Sequence, residues 1–186
     1  MAERIFIVRH GETEWSARGR HTSHTDLPLT EAGREAAAGL RGRLFGEDFG
    51  LVLCSPLRRA RESCELAGFG DRAELCDDLV EWDYGRYEGL TTPEIHAQDP
   101  DWNLWRDGCP DGETPDQIHG RVDRVLERFQ WLEGDGLAFA HGHVLRVLTA
   151  RWLRMEVSAG ARFKLPAAGV GVLGHERETE VLETWG

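Results

Sequence analysis

Nowhere in these 186 residues does an apolar run approach the roughly 20 residues of a membrane-spanning helix, which argues against a membrane protein. The chain enters a strand-like run almost at once, without the apolar core of a secretory signal, so a cytoplasmic protein is expected. Basic residues are in deficit: 22 Lys and Arg face 33 Asp and Glu, a formal net charge of −11. Nucleic acid and anionic membranes both require a basic face, so neither is an expected partner. Cysteine is sparse. Cys54, Cys64, Cys76 and Cys109 form no C-x-x-C pair, so neither a zinc knuckle nor a thioredoxin-like motif is indicated, and reduced thiols are expected. No H-E-x-x-H and no carboxylate cluster with histidine partners is present, so no metal is expected. With no internal repeat and no low-complexity linker, the length fits one domain over residues 1–186.

What is present is an alternation of strand-like and helix-like segments, which predicts an α/β protein with a mostly parallel sheet. The first strand covers about residues 4–9. An irregular polar loop follows, Ser16 to Pro28. Thr30 reads as the N-cap of a helix reaching Leu44. Leu51–Cys54 is the second strand. Ser55 then reads as an N-cap, with Pro56 at the first position of a helix to Ala67. Ala73–Cys76 is a third, short strand. Residues 77–113 are irregular and rich in Trp and Tyr, which marks a functional stretch. Thr114-Pro115-Asp116-Gln117 is a capping box opening a helix whose apolar positions are 118, 122, 125, 126, 129 and 132. Leu137–Ala140 is a strand and Val144–Leu153 a helix. Val170–Leu173 and Val181–Trp185 read as late strands at a sheet edge.

Ile5-Phe6-Ile7-Val8 empties into Arg9-His10-Gly11-Glu12-Thr13. Two polar side chains therefore stand at the carboxyl end of a buried strand, where open α/β sheets bind ligands. A histidine beside an arginine suits phosphoryl transfer: imidazole attacks phosphorus while the cation holds its oxygens. Gly11 allows close backbone approach. Arg58 and Arg59 are adjacent on one helix, about 100° apart, so one of them can face such a site. His141 and His143 compete at the next strand end, where a helix N-terminus favours an anion. Glu81, Asp83 and Glu88 compete as general acid.

The blocks Arg9-His10-Gly11-Glu12-Thr13, Ser55-Pro-Leu-Arg-Arg-Ala60, Glu81-Trp-Asp-Tyr-Gly-Arg-Tyr-Glu-Gly89 and Ala140-His141-Gly142 occur in this order. Arg-His-Gly alone would recur by chance; four ordered blocks would not. From about Ile5 to about Arg146 the chain resembles the histidine phosphatase superfamily, which also contains the cofactor-dependent phosphoglycerate mutases. The resemblance implies a three-layer α/β/α, phosphoglycerate mutase-like fold. It implies that His10 is the nucleophile, that Arg9 and Arg59 clamp phosphate, that His141 stabilises the transferring group and that Glu81 is the acid and base. Glu81 must then hold a proton near neutral pH, which apolar walls such as Trp82 and Tyr84, or the bound dianion, would favour. Ser16, Thr22 and Ser23 would supply polar contacts; many members carry asparagine at the first of these and glycine at the third. Gly142 and His143 would line the pocket, His21 and His24 would rim it, and Arg106 would reach a second phosphate or a carboxylate. No cofactor is implied.

Three functions fit this resemblance. The favoured one is a phosphomonoesterase for small phosphorylated metabolites, sugar phosphates first. A mutase needs an insertion after the acid for which the chain has little room. A non-catalytic phosphate-binding module would have lost one of the core groups. The expected partner is a small-molecule phosphate ester, with a homodimer possible through the late strands.

Overall fold

The computed structural model describes residues 2–186. Thirteen segments carry the architecture: β1 (Ile5–Arg9), α1 (Glu14–Ala17), α2 (Glu31–Arg43), β2 (Phe49–Cys54), α3 (Arg58–Leu66), β3 (Glu74–Leu75), α4 (Thr92–His96), α5 (Leu104–Asp107), α6 (Pro115–Gln130), β4 (Asp135–Ala140), α7 (Gly142–Trp152), β5 (Val170–Glu176) and β6 (Thr179–Trp185). The strand order is β3-β2-β4-β1-β5-β6. The first four in that row are mutually parallel, and β5 and β6 are antiparallel additions.

Side chains alternate across a strand, so each strand serves two cores. Ile5, Ile7, Leu53, Ala138 and Ala140 pack on the face covered by α6 and α7. Phe6, Val8, Val52, Leu137 and Phe139 pack on the face covered by α2 and α3. The result is the three-layer α/β/α arrangement. On α6, Ile118, Val122, Val125 and Phe129 form the buried face, and Thr114 and Gln117 complete the capping box at its start. All four cysteines are buried free thiols. Among the described residues no helix is long and apolar enough to cross a membrane.

The course of the chain creates the crevice. From β1 the chain leaves through α2 toward β2; from β4, which lies between them, it leaves through α7 toward β5. These connections diverge on opposite faces, so the carboxyl ends of β1 and β4 flank a topological switch point. Their register pairs Arg9 with Ala140, which sets His10 and His141 side by side just beyond the sheet.

Several local expectations are corrected. The polar loop begins with a helical turn, α1, because Thr13 and Ser16 form a reciprocal capping box. Ser55 does not cap α3: the helix starts three residues later, after Leu57, and has no side-chain cap. Its hydroxyl is instead committed to His141. The stretch 77–113 is punctuated by α4 and α5, of five and four residues, too short to show a period in sequence. Of the two late strands β6 alone takes a sheet edge; β5 lies inside, between β1 and β6. Gly11 is required for a different approach than a ligand's: a Cβ there would lie 2.3 Å from the carbonyl oxygen of Gly33. A Cβ on Gly33 would in turn lie 2.2 Å from that of Glu12. The two glycines let α2 seat directly against the loop that carries His10.

Candidate active site

Above the ends of β1 and β4 opens a cavity of about 280 Å³. Arg9, His10, Glu81, Tyr84, Gly142 and His143 line it, as do Ser16 and Thr22.

His10 is 5 % exposed, and its Nδ1 lies 2.6 Å from the carbonyl oxygen of Gly11. A carbonyl only accepts, so the hydrogen-bond network assigns the proton to Nδ1 and leaves the Nε2 lone pair free. Burial pushes the His10 pKa well below 6.5, and Arg59 and Arg9 push it further the same way. The imidazole is therefore neutral and nucleophilic at ordinary pH. Arg9 donates from Nη1 to the Leu165 carbonyl at 2.7 Å, while its buried Nε has no partner among the described residues. Arg9 is half-buried, and a guanidinium lining a cavity with donors to spare suits an incoming oxyanion.

Glu81 is 5 % exposed. Its Oε1 accepts the N–H groups of Trp82 and Val144, each at 2.9 Å, and its Oε2 accepts that of His143 at 3.0 Å. The anion at the α7 N-terminus is thus the Glu81 carboxylate, not a site left open for phosphate. Tyr84 Oη lies 2.6 Å from His143 Nδ1. Burial holds the phenol well above its usual pKa of 10.0, so it keeps its proton and donates to His143. Trp82 is fully buried and donates to the Glu113 carbonyl rather than forming a wall.

His141 and Arg59 stand directly behind this surface, both fully buried. The Arg59 Nε–H donates to His141 Nδ1 at 3.1 Å, which places the His141 proton on Nε2, where it is given to Ser55 Oγ at 2.7 Å. The rings of His10 and His141 meet edge to face with centroids 5.1 Å apart. Arg59 also donates to the carbonyls of Thr25, Thr22 and Ser23, at 3.2, 3.1 and 3.1 Å, tying down the loop after the nucleophile. Arg58 points to solvent and pairs with Glu62 at 2.7 Å. Ser23 is buried, donating its hydroxyl to the Glu81 carbonyl; its N–H and that of Thr25 bind the Glu88 carboxylate. Ser16 spends its hydroxyl on the Thr13 cap. Arg106 does not join the site: it is exposed and paired with Asp107. Of the two rim histidines, His21 lines the cavity, whereas His24 is exposed beside Asp83.

Three lining cations were not singled out from sequence: Arg20, Arg146 and Lys164. Arg146 lies one helical turn beyond Gly142 and His143 on the same face, a usable signal. It stacks 4.6 Å over the Trp105 ring and donates to the Gly160 and Ala161 carbonyls. Lys164, the only lysine in the chain, sits in a motif-free stretch. Four cationic side chains thus line the cavity against one carboxylate, Glu81, in a protein of net charge −11.

The buried imidazoles carry a stability signature. His10, His141 and His143 all have pKa values well below 6.5, burial being the largest cause in each. Below about pH 6.5 the unfolded chain takes up protons that the folded chain refuses, so stability is lost as pH falls through that window. The melting temperature is expected to drop between about pH 7 and about pH 5. A flat profile there would contradict the neutral assignments.

Known proteins resemble this chain along almost its whole length. The model of the histidine phosphatase superfamily (branch 1) matches residues 5–186. An acid phosphatase of Mycobacterium tuberculosis is 42% identical over 188 residues, covering 98% of this chain and 92% of that one. A sedoheptulose 1,7-bisphosphatase of Saccharomyces cerevisiae is 39% identical, covering 84% of this chain and 70% of that protein. A solved Mycobacterium tuberculosis open-reading-frame product superposes with a TM-score of 0.91 at 40% identity, covering 100% of this chain and 98% of that one. The strand-end histidine with its free Nε2 thus stands in a chain matched almost throughout, and the protein belongs to branch 1 of the histidine phosphatase superfamily, as a phosphatase.

Proposed function

We propose that the protein is a phosphomonoesterase acting on small phosphorylated metabolites, sugar phosphates foremost, through a phosphohistidine on His10. The observation that carries this is the unencumbered Nε2 of a neutral His10, in a cavity with Arg9 and Glu81. Nε2 attacks phosphorus; the N–P bond forms and the ester P–O bond breaks. Arg9 holds the phosphoryl oxygens, and Arg59 and His141 support the site from beneath. Glu81 gives a proton to the departing alkoxide. Water then attacks phosphorus, Glu81 takes its proton, and the N–P bond breaks to release phosphate. The surplus of cations suits substrates with a second anionic group, such as sugar bisphosphates. No metal enters these steps, because arginine supplies the positive charge.

The test is phosphate release from p-nitrophenyl phosphate and from paired sugar mono- and bisphosphates. Turnover is expected to survive a chelator and to be inhibited by orthovanadate, which mimics five-coordinate phosphorus. Conversion of 3-phosphoglycerate to its isomer without phosphate release would make the protein a mutase. Silence across the panel would sink the esterase reading.

A further inference from the structure

One buried ion pair lies outside the cavity and has no part in the chemistry above. Arg121, on α6, is 7 % exposed. Its Nε–H donates to Glu113 Oε1 at 2.6 Å and its Nη2 to Glu113 Oε2 at 2.8 Å, a bidentate pair. Its other donors reach past the pair. Nη1 donates to the carbonyls of Asp78 and Val80 at 2.8 and 2.7 Å, and Nη2 to that of Glu81 at 3.2 Å. A guanidinium has five N–H groups, so none is left over.

Glu113 grips the same stretch from its other side. Its Oε2 accepts the Asp83 N–H at 3.1 Å, and its own N–H donates to the Asp83 carbonyl at 2.9 Å. Its carbonyl accepts the Trp82 indole N–H at 2.9 Å. Residues 80–84 belong to no helix or strand. A buried segment without a ladder must find backbone partners elsewhere, and here one arginine and one glutamate provide them. Glu81 is therefore fixed at two ends. Arg121 and Ser23 hold its carbonyl from below, and the N–H groups at the start of α7 hold its carboxylate.

We propose that the Arg121–Glu113 pair is a positioning device for the general acid, setting where the Glu81 carboxyl group meets the leaving-group oxygen. This rests on the reading of Glu81 as the acid. Proton delivery is sensitive to placement on the ångström scale, and a planar fork fixes the carbonyls it binds in direction as well as distance. An apolar pair of similar volume could anchor α6 equally well but would leave those carbonyls unheld.

The test is the dependence of kcat/KM on the leaving group, from p-nitrophenyl phosphate to simple alkyl phosphates, for wild type, Glu81→Gln, Glu113→Gln and Arg121→Lys. p-Nitrophenolate departs without a proton, whereas an alkoxide needs one. The two pair variants are expected to lose about thirtyfold on alkyl phosphates and markedly less on p-nitrophenyl phosphate, steepening the dependence in the same sense as Glu81→Gln. Equal losses on all esters, or no loss, would overturn the proposal, since a pair that only holds the fold has no preference for leaving group. If Glu81→Gln leaves the dependence unchanged, Glu81 is not the acid and the inference falls with that reading. If only Glu81→Gln steepens it, the positioning role alone falls. Glu113→Gln keeps the size of the side chain and one acceptor, so it decides the matter should Arg121→Lys fail to fold.

Discussion

Replacing His10 by alanine is expected to abolish turnover, a fall of about six orders of magnitude in kcat, the scale reached when a covalent nucleophile is removed. The size of the effect follows from the state of the other imidazoles. His141 has both ring nitrogens engaged and is fully buried. His143 accepts the Tyr84 hydroxyl at Nδ1, so its Nε2 carries the proton. Of the other histidines lining the cavity, His21 alone shares the protonation pattern of His10, with Nδ1 2.9 Å from the Leu90 carbonyl. Its ring packs edge to face against Tyr84 and Trp102. Among the lining imidazoles, His10 is the one that follows β1 directly beside Arg9 and meets His141 edge to face. Acid-labile phosphate on wild-type protein quenched during turnover, and its absence from the alanine variant, would establish the intermediate. Folding should be little disturbed, because a neutral ring with one hydrogen bond is removed. Substantial residual turnover by a folded variant would move the chemistry to another residue.

The centre of the sheet was legible because β1, β2 and β4 contain continuous apolar runs, Ile5–Val8, Leu51–Cys54 and Leu137–Ala140. Ile5–Val8 reads as a buried parallel strand and Leu137–Ala140 as a strand of a mostly parallel sheet, as the structure has them, and His10 and His141 follow from where those runs stop. What stayed illegible depends on contacts between distant segments. Ser55 before Pro56 has every local mark of a helix cap, but a buried His141 needs an acceptor and takes the hydroxyl. The α7 N-terminus reads as an open anion site, yet Glu81 reaches it from 62 positions earlier in the chain, the separation of its bond to His143. Lys164 enters the cavity because its loop lies along β1, with the Arg9 N–H donating to the Gly169 carbonyl and the Ala168 N–H to that of His10. No spacing in the sequence announces that pairing. Arg146 is within reach of the helical period, one turn beyond Gly142 on α7, but it lies outside the Ala140-His141-Gly142 block.

Arg59→Ala and Arg58→Ala separate two neighbouring arginines that sequence physics alone does not rank. Arg59→Ala removes a fully buried guanidinium and strands the Thr22, Ser23 and Thr25 carbonyls together with His141 Nδ1. Unsatisfied buried acceptors cost about 1–3 kcal/mol each, partly offset because a desolvated charge is also removed, so a net loss of about 3 kcal/mol is expected. Activity should fall by about a thousandfold, because the loop behind the nucleophile loosens and positive charge beneath the phosphoryl group disappears. Arg58→Ala removes an exposed partner of Glu62, a carboxylate that still accepts the Leu29 N–H. Such a surface pair is worth about 0.5 kcal/mol and touches nothing in the cavity, so the melting temperature should barely move. Arg59→Lys should rescue little, since an ammonium cannot reach three carbonyls and an imidazole at once. Melting curves and kcat/KM for the three variants give the ranking. Equal effects at 58 and 59 would mean that the buried fork does not hold the loop, and the larger loss at 58 would put the functional cation on the solvent-exposed face of α3.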